Sequence, residues 1–328
     1  MREAMFRAEV GDDVLGDDPT VKRLEAMAAD RLAKEAAVFV ASGTMANLVS
    51  LLAHCGRGDE AIVGSEAHIL HYEVAGAAGL GGIQLRAAGN DSRGRLDLNE
   101  VRTLIRTPDI HSPRTAVICL ENTHNRCCGA ANPASHTAAV AEIARDAGLA
   151  LHIDGARIFN AAIALETTAA DLAREADSIM FCLSKGLSAP IGSLVCGSGD
   201  FVLRARKARK MVGGGMRQVG VIAAAGIVAL DEMVDRLAED HANARALAEG
   251  LASIPGIVID PSTVETNIVI FGVEGFDAAR LSSRLRESGV LSSGFRGRIR
   301  MVTHHGIERS HVDEALERVR EAARSLVV

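Results

Sequence analysis

The chain has 328 residues, of which 48% are hydrophobic and 24% are charged, and its formal net charge is −6. This composition supports a large core, in one main domain with a smaller partner, and the negative charge excludes a general attraction to nucleic acid or acidic membranes. With no Trp and one Tyr, the chain also lacks the aromatic surface that stacks on single-stranded nucleic acid.

The sequence also disfavours membrane insertion and disulfide chemistry. No apolar run approaches the length of a membrane span, and residues 1–6 do not begin a signal peptide. The six cysteines include no C-x-x-C pair, and the neighbouring Cys127 and Cys128 have no second pair nearby with which to bind a metal. We therefore predict reduced thiols, no metal site and a cytoplasmic protein.

Strands and helices alternate along the first two thirds of the chain. We predict strands at residues 35–40, 61–63, 83–86, 115–120, 150–153, 179–183 and 193–196. Helices are predicted between them at residues 44–54, 69–78, 98–105 and 135–147. Short apolar runs without strict alternation, separated by amphipathic helices, indicate an α/β fold with a mostly parallel sheet covered on both faces. In such sheets ligands collect beyond the carboxyl ends of the strands.

The last third of the chain has a different pattern. A nearly apolar helix at 219–230, suited to burial between subunits or domains, is followed by an amphipathic helix at 234–251. Three strands and two helices complete a small α+β layer, at residues 257–259, 267–271, 278–288, 299–303 and 310–326. We place the domain boundary near residue 235, which divides the chain into a large domain, 1–235, and a small domain, 236–328.

Lys185 and Asp154 each follow a buried strand of this predicted sheet. Two unrelated charges at strand ends, or a salt bridge, would explain the pair. The order of the two residues, with small residues around both, instead favours a site for pyridoxal phosphate (PLP). The lysine would hold the PLP aldehyde as a Schiff base, and the carboxylate would keep the pyridine nitrogen protonated so that the ring accepts electrons.

A small turn of Ser42, Gly43 and Thr44 opens the helix predicted at 44–54. The first N–H groups of a helix have no partner within it and lie at its positive end, so this turn could bind a phosphate. An ordinary helix cap is the alternative. The glycines between residues 76 and 82 follow a predicted helix rather than a strand, which excludes a dinucleotide-binding turn there.

Other polar groups lie near the ends of the predicted strands. His68 could lie on a pyridine ring, act as a base, or merely cap a surface helix. His124 belongs to the polar run 121–126, whose position directly after an apolar strand favours a site over solvent exposure. Lys210 and Arg217 flank a triple glycine that could be a hinge, or could bring either cation to a phosphate across a subunit boundary.

Together these segments resemble the threonine aldolase family, within the β-eliminating lyase group of fold-type I PLP enzymes. The resemblance extends in family order from residue 10 to residue 305. The matching runs are VGDD at 10–13, DPTV at 18–21, SGTMAN at 42–47, His68 with Tyr72 and Glu73, ENTHN at 121–125, HIDGAR at 152–157, LSKG at 183–186, GGGMRQ at 213–218 and RMVTH at 300–304. Each run is short, but the ordered set is highly specific.

The resemblance implies a role for each residue that binds the cofactor. Lys185 would form the Schiff base and Asp154 would pair with the pyridine nitrogen, while His68 would stack on the ring close to the chemistry. Ser42, Gly43 and Thr44 would lie at the phosphate. Lys210 and Arg217 would come from a neighbouring subunit, since the family's sites lie between subunits and its members are usually tetramers of paired dimers.

The resemblance also implies a substrate and a reaction. Arg157 and Arg300 would bind the carboxylate of a β-hydroxy-α-amino acid, and His124 would lie near its hydroxyl group. His68 or His124 would take the hydroxyl proton, directly or through water, as the Cα–Cβ bond breaks to give an aldehyde and glycine. The alternatives are another PLP reaction on the same scaffold, such as racemisation or β-elimination, and a non-catalytic protein with a PLP-enzyme fold.

Two departures from the family pattern concern the substrate. An Arg-Ser-Asp-Thr string that normally precedes the region matching residues 1–5, and whose serine helps to hold the substrate carboxylate, is not in this sequence. We expect either that translation starts upstream or that the site has one donor fewer, which would weaken substrate binding by one to two decades, from a loss of about 1.5–3 kcal/mol. Leu15 replaces a tyrosine that normally reaches a neighbour's active site, which affects the expected substrate preference.

Overall fold

In the computed structural model, which describes residues 1–326, short apolar strands form two β-sheets, and amphipathic helices cover them. The strands are β1 (Ala36–Val40), β2 (Glu60–Gly64), β3 (Gln84–Ala88), β4 (Thr115–Glu121), β5 (Ala150–Asp154), β6 (Ser178–Cys182), β7 (Ser193–Gly197), β8 (Ile257–Val258), β9 (Ile268–Val273), β10 (Ser293–Phe295) and β11 (Arg298–Val302).

Helices connect these strands and cover the sheets. They are α1 (Arg2–Phe6), α2 (Pro19–Arg31), α3 (Gly43–His54), α4 (His68–His71), α5 (Gly76–Gly81), α6 (Leu98–Leu104), α7 (Ala134–Asp146), α8 (Ile158–Ala164), α9 (Ala169–Ala173), α10 (Gly199–Met211), α11 (Gly220–Glu232), α12 (Leu237–Ala252), α13 (Ala278–Glu287) and α14 (Arg309–Arg324). Within residues 1–326, none of them has both the length and the apolar character needed to cross a membrane.

The larger sheet has seven strands in the order β1-β7-β6-β5-β4-β2-β3. All neighbouring pairs from β6 to β3 are parallel, and β7 alone runs antiparallel to its neighbours β1 and β6. Helices α2, α7, α8 and α11 cover one face, and α3 and α10 pack on the other. Burial on both faces explains why these strands are continuous apolar runs, and it confirms the predicted α/β fold with a mostly parallel sheet.

The register of the central strands brings three chain segments to one edge of this sheet. Glu121, the last residue of β4, pairs with Asp154, the last residue of β5, and Asp154 pairs with Met180 of β6. Lys185 follows β6 directly in the same direction. Because the strands are parallel, their carboxyl ends meet at this edge, as the sequence predicts.

The smaller sheet contains four antiparallel strands in the order β10-β11-β9-β8. Helices α12, α13 and α14 pack on it around a separate core that includes Phe271, Leu281 and Val319. This is the predicted α+β layer with one further strand, β10, which was not predicted. The domain boundary near residue 235 stays a prediction, and the last two residues of its small domain, 327 and 328, lie outside the described residues.

The helix predicted at 69–78 is wrong, because the chain breaks there into α4 and α5. Val74 and Ala75 between them both have φ of 53°, a conformation that costs energy in residues other than glycine. The break turns the Glu73 side chain into the protein, where it is 6% exposed, and leaves Val74 96% exposed. Local apolar spacing predicts a continuous helix, but the buried contacts of Glu73 override it.

Helices α1, α2, α8, α9 and α10 were not predicted. The start of α2 has a recognisable signal, since Asp18 caps the helix by accepting a hydrogen bond from the Val21 N–H, and proline follows at the first helical position. The other carboxylate oxygen of Asp18 accepts from the N–H groups of Gly11 and Gly220. Asp18 thereby connects the N-terminal segment to α11.

Candidate active site

A cavity of about 110 Å³ opens at the carboxyl edge of β5 and β6. It is lined by residues from four segments that are distant in the sequence, namely Gly43, Thr44, Asn47, His68, Asp154, Ala156, Met180 and Lys185. Five of these residues are among those predicted from the sequence. The fold therefore brings the helix turn, the histidine, the carboxylate and the lysine into one space.

Asp154 is a buried carboxylate whose two oxygens are both hydrogen-bonded. The Asn47 amide donates to Oδ2 at 2.8 Å, and the backbone N–H of Ala156 donates to Oδ1 at 3.1 Å. Among the described residues, Asp154 has these two donors and no cationic side-chain partner. Its negative charge is therefore available to a positively charged group in the cavity. A protonated ring nitrogen is such a group.

Lys185 is half-buried and reaches the same cavity. Within residues 1–326 it forms no ion pair, so its amine is free to react. The next residue must be small, because a Cβ on Gly186 would lie 2.9 Å from both Asn160 Oδ1 and Leu237 Cδ2. The segment after β6 is thus packed tightly, and a free primary amine at its start suits attack on an aldehyde.

Helix α3 points its N-terminus at the cavity. Ser42 caps this helix, since its Oγ accepts a hydrogen bond from the Met45 N–H at 3.2 Å, and its side chain is not part of the cavity lining. Gly43 packs so closely on β6 that a Cβ would lie 2.8 Å from Cys182 Sγ. A helix cap at Ser42 and a phosphate site are therefore compatible, because Gly43 and Thr44 line the cavity at the positive end of the helix.

His68 lies at the start of α4, where two carboxylates hold it. Its backbone N–H donates to Glu121 Oε2 at 2.7 Å, and its Nδ1 lies 2.9 Å from Glu73 Oε1. Burial by itself lowers the pKa of His68, but the hydrogen bond to Glu73 and the charges of Asp154 and Glu73 outweigh it, so the pKa is raised. The ring can therefore hold a proton next to the cavity.

Asn47 and Glu73 are site residues for which the sequence analysis assigned no role. Asn47 Nδ2 donates to both Glu73 Oε1, at 2.7 Å, and Asp154 Oδ2, at 2.8 Å. Burial and the charge of Asp154 raise the pKa of Glu73, against the hydrogen bonds from His68 and Asn47.

Ligand atoms of His68, Glu73 and Asp154 lie within 4.8 Å of one another, which is metal-site spacing, but the amide hydrogens of Asn47 already occupy both carboxylates. A signal for Asn47 exists in the sequence, because it is a polar residue one turn after Gly43 in an apolar helix.

Arg157 and Arg300 are neighbouring cations that lack acidic partners among the described residues. Arg157 lies directly before α8, and Arg300 comes from β11 of the smaller sheet. The Nε atoms of both are buried without a hydrogen-bond partner, although Arg300 Nη2 donates to Asn125 Oδ1 at 3.0 Å. Burial lowers the pKa of Arg157, and burial together with the nearby Arg157 lowers the pKa of Arg300 to about 10. Two adjacent cations with free donors suit a carboxylate ligand.

His124 is 1% exposed, and neither of its ring nitrogens has a hydrogen-bond partner in the described structure. Its Nε2 lies 3.9 Å from Glu121 Oε2, the carboxylate that also binds the His68 backbone. Gly94 packs against the ring so closely that an added Cβ would overlap it. His124 is therefore fixed in place with both nitrogens unpartnered, but it is buried outside the lining of the cavity.

Lys210 and Arg217 do not reach the cavity of their own chain. Lys210 is exposed in the last turn of α10, and Arg217 donates from Nη1 to Asp12 Oδ2 at 2.6 Å. A contact with a phosphate in this chain is thus not formed. Their predicted role across a subunit boundary stays a prediction.

The cavity residues fit PLP. An unpaired amine, a buried carboxylate without a cationic partner and the open N-terminus of α3 match the three groups of the cofactor, which are its aldehyde, its ring nitrogen and its phosphate. The unpartnered Nε atoms of Arg157 and Arg300 match the carboxylate of an amino acid.

Comparisons with known proteins agree with this geometry. Residues 1–274 match the family model described as beta-eliminating lyase. The chain is 46% identical to low-specificity L-threonine aldolase 1 of Arabidopsis thaliana, over 98% of this chain and 92% of that protein. It is 45% identical to low specificity L-threonine aldolase of Escherichia coli strain K12, over 96% and 92%. The structure of a Leishmania major threonine aldolase superposes with a TM-score of 0.78 at 20% identity, covering 97% of this chain and 92% of that one, which shows a common fold. The chain therefore belongs to the threonine aldolase family, within the β-eliminating lyases.

Proposed function

We propose that this protein cleaves β-hydroxy-α-amino acids of the threonine type to glycine and an aldehyde, with PLP as cofactor. The observation that carries the proposal is a free amine, a buried carboxylate and an open helix N-terminus around one cavity. The names of the relatives support the same reaction.

Three groups would hold the cofactor. Lys185 would bind its aldehyde, Asp154 would pair with its ring nitrogen, and the N-terminus of α3 at Gly43 and Thr44 would receive its phosphate. When bound, PLP supplies an electron sink that accepts the electrons of the broken Cα–Cβ bond. Asp154, which is 2% exposed, would hold the proton on the ring nitrogen.

Arg157 and Arg300 would orient the substrate through its carboxylate. A carboxylate between the two guanidinium groups satisfies the free Nε donors and removes the repulsion that lowers the pKa of Arg300. Charge-assisted hydrogen bonds of this kind are about twice as strong as neutral ones. Binding at this end fixes the position of the β-hydroxyl group relative to the two histidines.

His68 or His124 would take the β-hydroxyl proton. Nδ1 of His68 is bound to Glu73, which leaves Nε2 for the substrate, whereas both nitrogens of His124 lack partners. Comparing His68→Asn and His124→Asn separates the two roles, because the residue that moves the proton should lower kcat more than KM.

A direct test is glycine release from L-threonine, L-allo-threonine and larger β-hydroxy amino acids, with the aldehyde measured by a coupled dehydrogenase. We expect turnover by the PLP-loaded protein and none by Lys185→Ala, which should also lose the visible absorption of the bound cofactor. Racemisation or β-elimination without glycine would favour a different PLP reaction. Cofactor binding with no turnover of any substrate would favour a non-catalytic protein.

We further propose a homotetramer of paired dimers with the active site between subunits, in the cytoplasm. Exposed Lys210, Arg217 and Leu15, none of which lies in the cavity of its own chain, support shared sites. Mixing Lys185→Ala with a Lys210→Ala/Arg217→Ala variant should restore activity if one subunit completes the site of another. No recovery after subunit exchange would contradict shared sites.

The six cysteines, none of them in a disulfide, support the proposed cytoplasmic location, which cell fractionation can test.

A further inference from the structure

A hydrogen-bonded series of buried side chains lies behind the cavity, on the side away from the substrate. His54 Nε2 lies 2.7 Å from Ser178 Oγ, and Ser178 Oγ lies 2.8 Å from His152 Nδ1. His152 Nε2 then lies 3.4 Å from Asn47 Oδ1, which is the longest contact of the series. The fold thus connects the last turn of α3 to Asn47 through two neighbouring strands, β5 and β6.

Only one arrangement of protons satisfies every member of this series. The Asn47 amide contacts two carboxylates, those of Glu73 and Asp154, and an ionised carboxylate only accepts hydrogen bonds. Its NH₂ group must therefore face them, and its Oδ1 must face His152. His152 in turn must carry its proton on Nε2 in order to donate to that oxygen.

The same logic extends outward from His152. With its proton on Nε2, His152 has an unprotonated Nδ1, which accepts from the Ser178 hydroxyl. Ser178 Oγ then accepts from Nε2–H of His54. Burial lowers the pKa of His152 to about 3 and that of His54 to about 4, so both rings are neutral near pH 7, as this arrangement requires.

We propose that His152 is a positioning residue that acts through Asn47, holding its amide so that the NH₂ group faces both Asp154 and Glu73. Without donors between them, two adjacent buried carboxylates share a proton, because their charges repel each other. The two N–H groups of Asn47 offset part of this repulsion, and His152 holds the amide in the only orientation that offers both of them to the carboxylates. The inference rests on the proposed pairing of Asp154 with the cofactor nitrogen.

The first test uses the protein without cofactor or substrate. Nitrogen-15 NMR of the histidine rings at neutral pH should show His152 neutral and protonated on Nε2, with its signals identified by their loss in His152→Gln. A charged ring, or a proton on Nδ1, would overturn the proposal. This measurement does not depend on aldol cleavage, so it separates a failure of the inference from a failure of the proposed reaction.

The second test compares two replacements of similar length. His152→Gln keeps a donor in reach of Asn47, whereas His152→Met does not. We expect His152→Met to weaken PLP binding to the apoprotein about tenfold and to lower kcat about tenfold with KM nearly unchanged, the scale of one lost hydrogen bond to a charged group. His152→Gln should recover most of both losses. Equal effects of Gln and Met in folded proteins would mean that the ring serves packing alone.

A double-mutant cycle tests whether the effect passes through Asn47. If it does, His152→Met adds little to the loss of PLP affinity caused by Asn47→Ala, whereas additive losses would contradict the proposal. His136→Gln is a matched control, because His136 is a half-buried histidine outside the series, and it should leave PLP affinity unchanged. Should the His152 variants not fold, Asn47→Ala removes the oxygen that accepts from Nε2 and should abolish the single protonation pattern of His152 in the NMR spectrum, whereas an unchanged pattern would contradict the proposal.

Discussion

At the scale of single residues, the cavity and its surroundings combine carboxylates that are well hydrogen-bonded with cations that are not. Asp154 and Glu73 both accept hydrogen bonds from Asn47, whereas Arg157 has no partner for its Nε atom. Burying an unpaired cation costs stability, so such groups persist where a ligand completes them. The substrate carboxylate and the positive ring nitrogen of the cofactor that we propose here would complete both kinds of group.

Replacing Asp154 by Asn tests the charge of the carboxylate at nearly constant shape. We expect Asp154→Asn to fold and to bind PLP weakly, and its kcat to fall by about two orders of magnitude, since an amide cannot stabilise a protonated ring nitrogen. Steady-state kinetics at saturating PLP, with thermal unfolding as the check on folding, measure this. Near-normal turnover would show that a different carboxylate pairs with the ring.

Arg300→Ala should mainly affect substrate binding. Losing a hydrogen bond to a charged group costs about 1.5–3 kcal/mol, so KM for L-threonine should rise by about 10- to 100-fold. Arg298→Ala is a matched control on the same strand, because Arg298 is exposed and lies over the Phe295 ring, and it should change KM less than about twofold. Equal KM values for the two variants would remove Arg300 from the carboxylate site.

At the scale of secondary-structure elements, the site depends on how α3 and α4 meet the sheet. Helix α3 approaches β6 without a side chain at Gly43, which brings its N-terminus to the cavity. The break after α4, with Val74 and Ala75 at positive φ, turns Glu73 inward to His68 and Asn47. Backbone strain of this kind persists where the surrounding contacts require it.

Gly43→Ala should weaken cofactor binding through this close packing. The new Cβ would lie 2.8 Å from Cys182 Sγ, so α3 or β6 must shift, at a cost of about 1–3 kcal/mol in the free energy of unfolding. Thermal unfolding and PLP titration of the apoprotein measure both effects. The double variant Gly43→Ala/Cys182→Ala removes the clashing sulfur and should recover part of each loss; no recovery would show that the contact with Cys182 is not the cause.

At the scale of the whole molecule, the two sheets contribute jointly to the site. Arg157 follows a strand of the larger sheet and Arg300 belongs to the smaller one, and their proximity lowers the pKa of Arg300. A substrate carboxylate between them would connect both parts of the chain. Leu15, which is 71% exposed, lies where the family resemblance implies a residue that contacts a neighbouring subunit's site.

Leu15→Tyr should therefore change substrate preference rather than restore a lost activity. We expect the ratio of kcat/KM for L-threonine and L-allo-threonine to shift by about 2- to 10-fold, the scale of one added contact. The control is Leu203→Tyr, which changes a different exposed leucine, on α10, and should leave the ratio unchanged. An unchanged ratio in Leu15→Tyr would place residue 15 outside the substrate site.

The amino-acid sequence by itself determined the strands of the larger, mostly parallel sheet and the residues at its carboxyl edge, because apolar runs and the polar residues that follow them are local patterns. It also identified Lys185 and Asp154 as a pair, since parallel strands bring their ends together. Only the tertiary structure revealed the contacts of Asn47 with Glu73 and Asp154, the contacts of His152 with Ser178 and Asn47, and the break after α4. These features depend on contacts between residues far apart in the chain, where burying a hydrogen-bonded carboxylate outweighs local helix propensity.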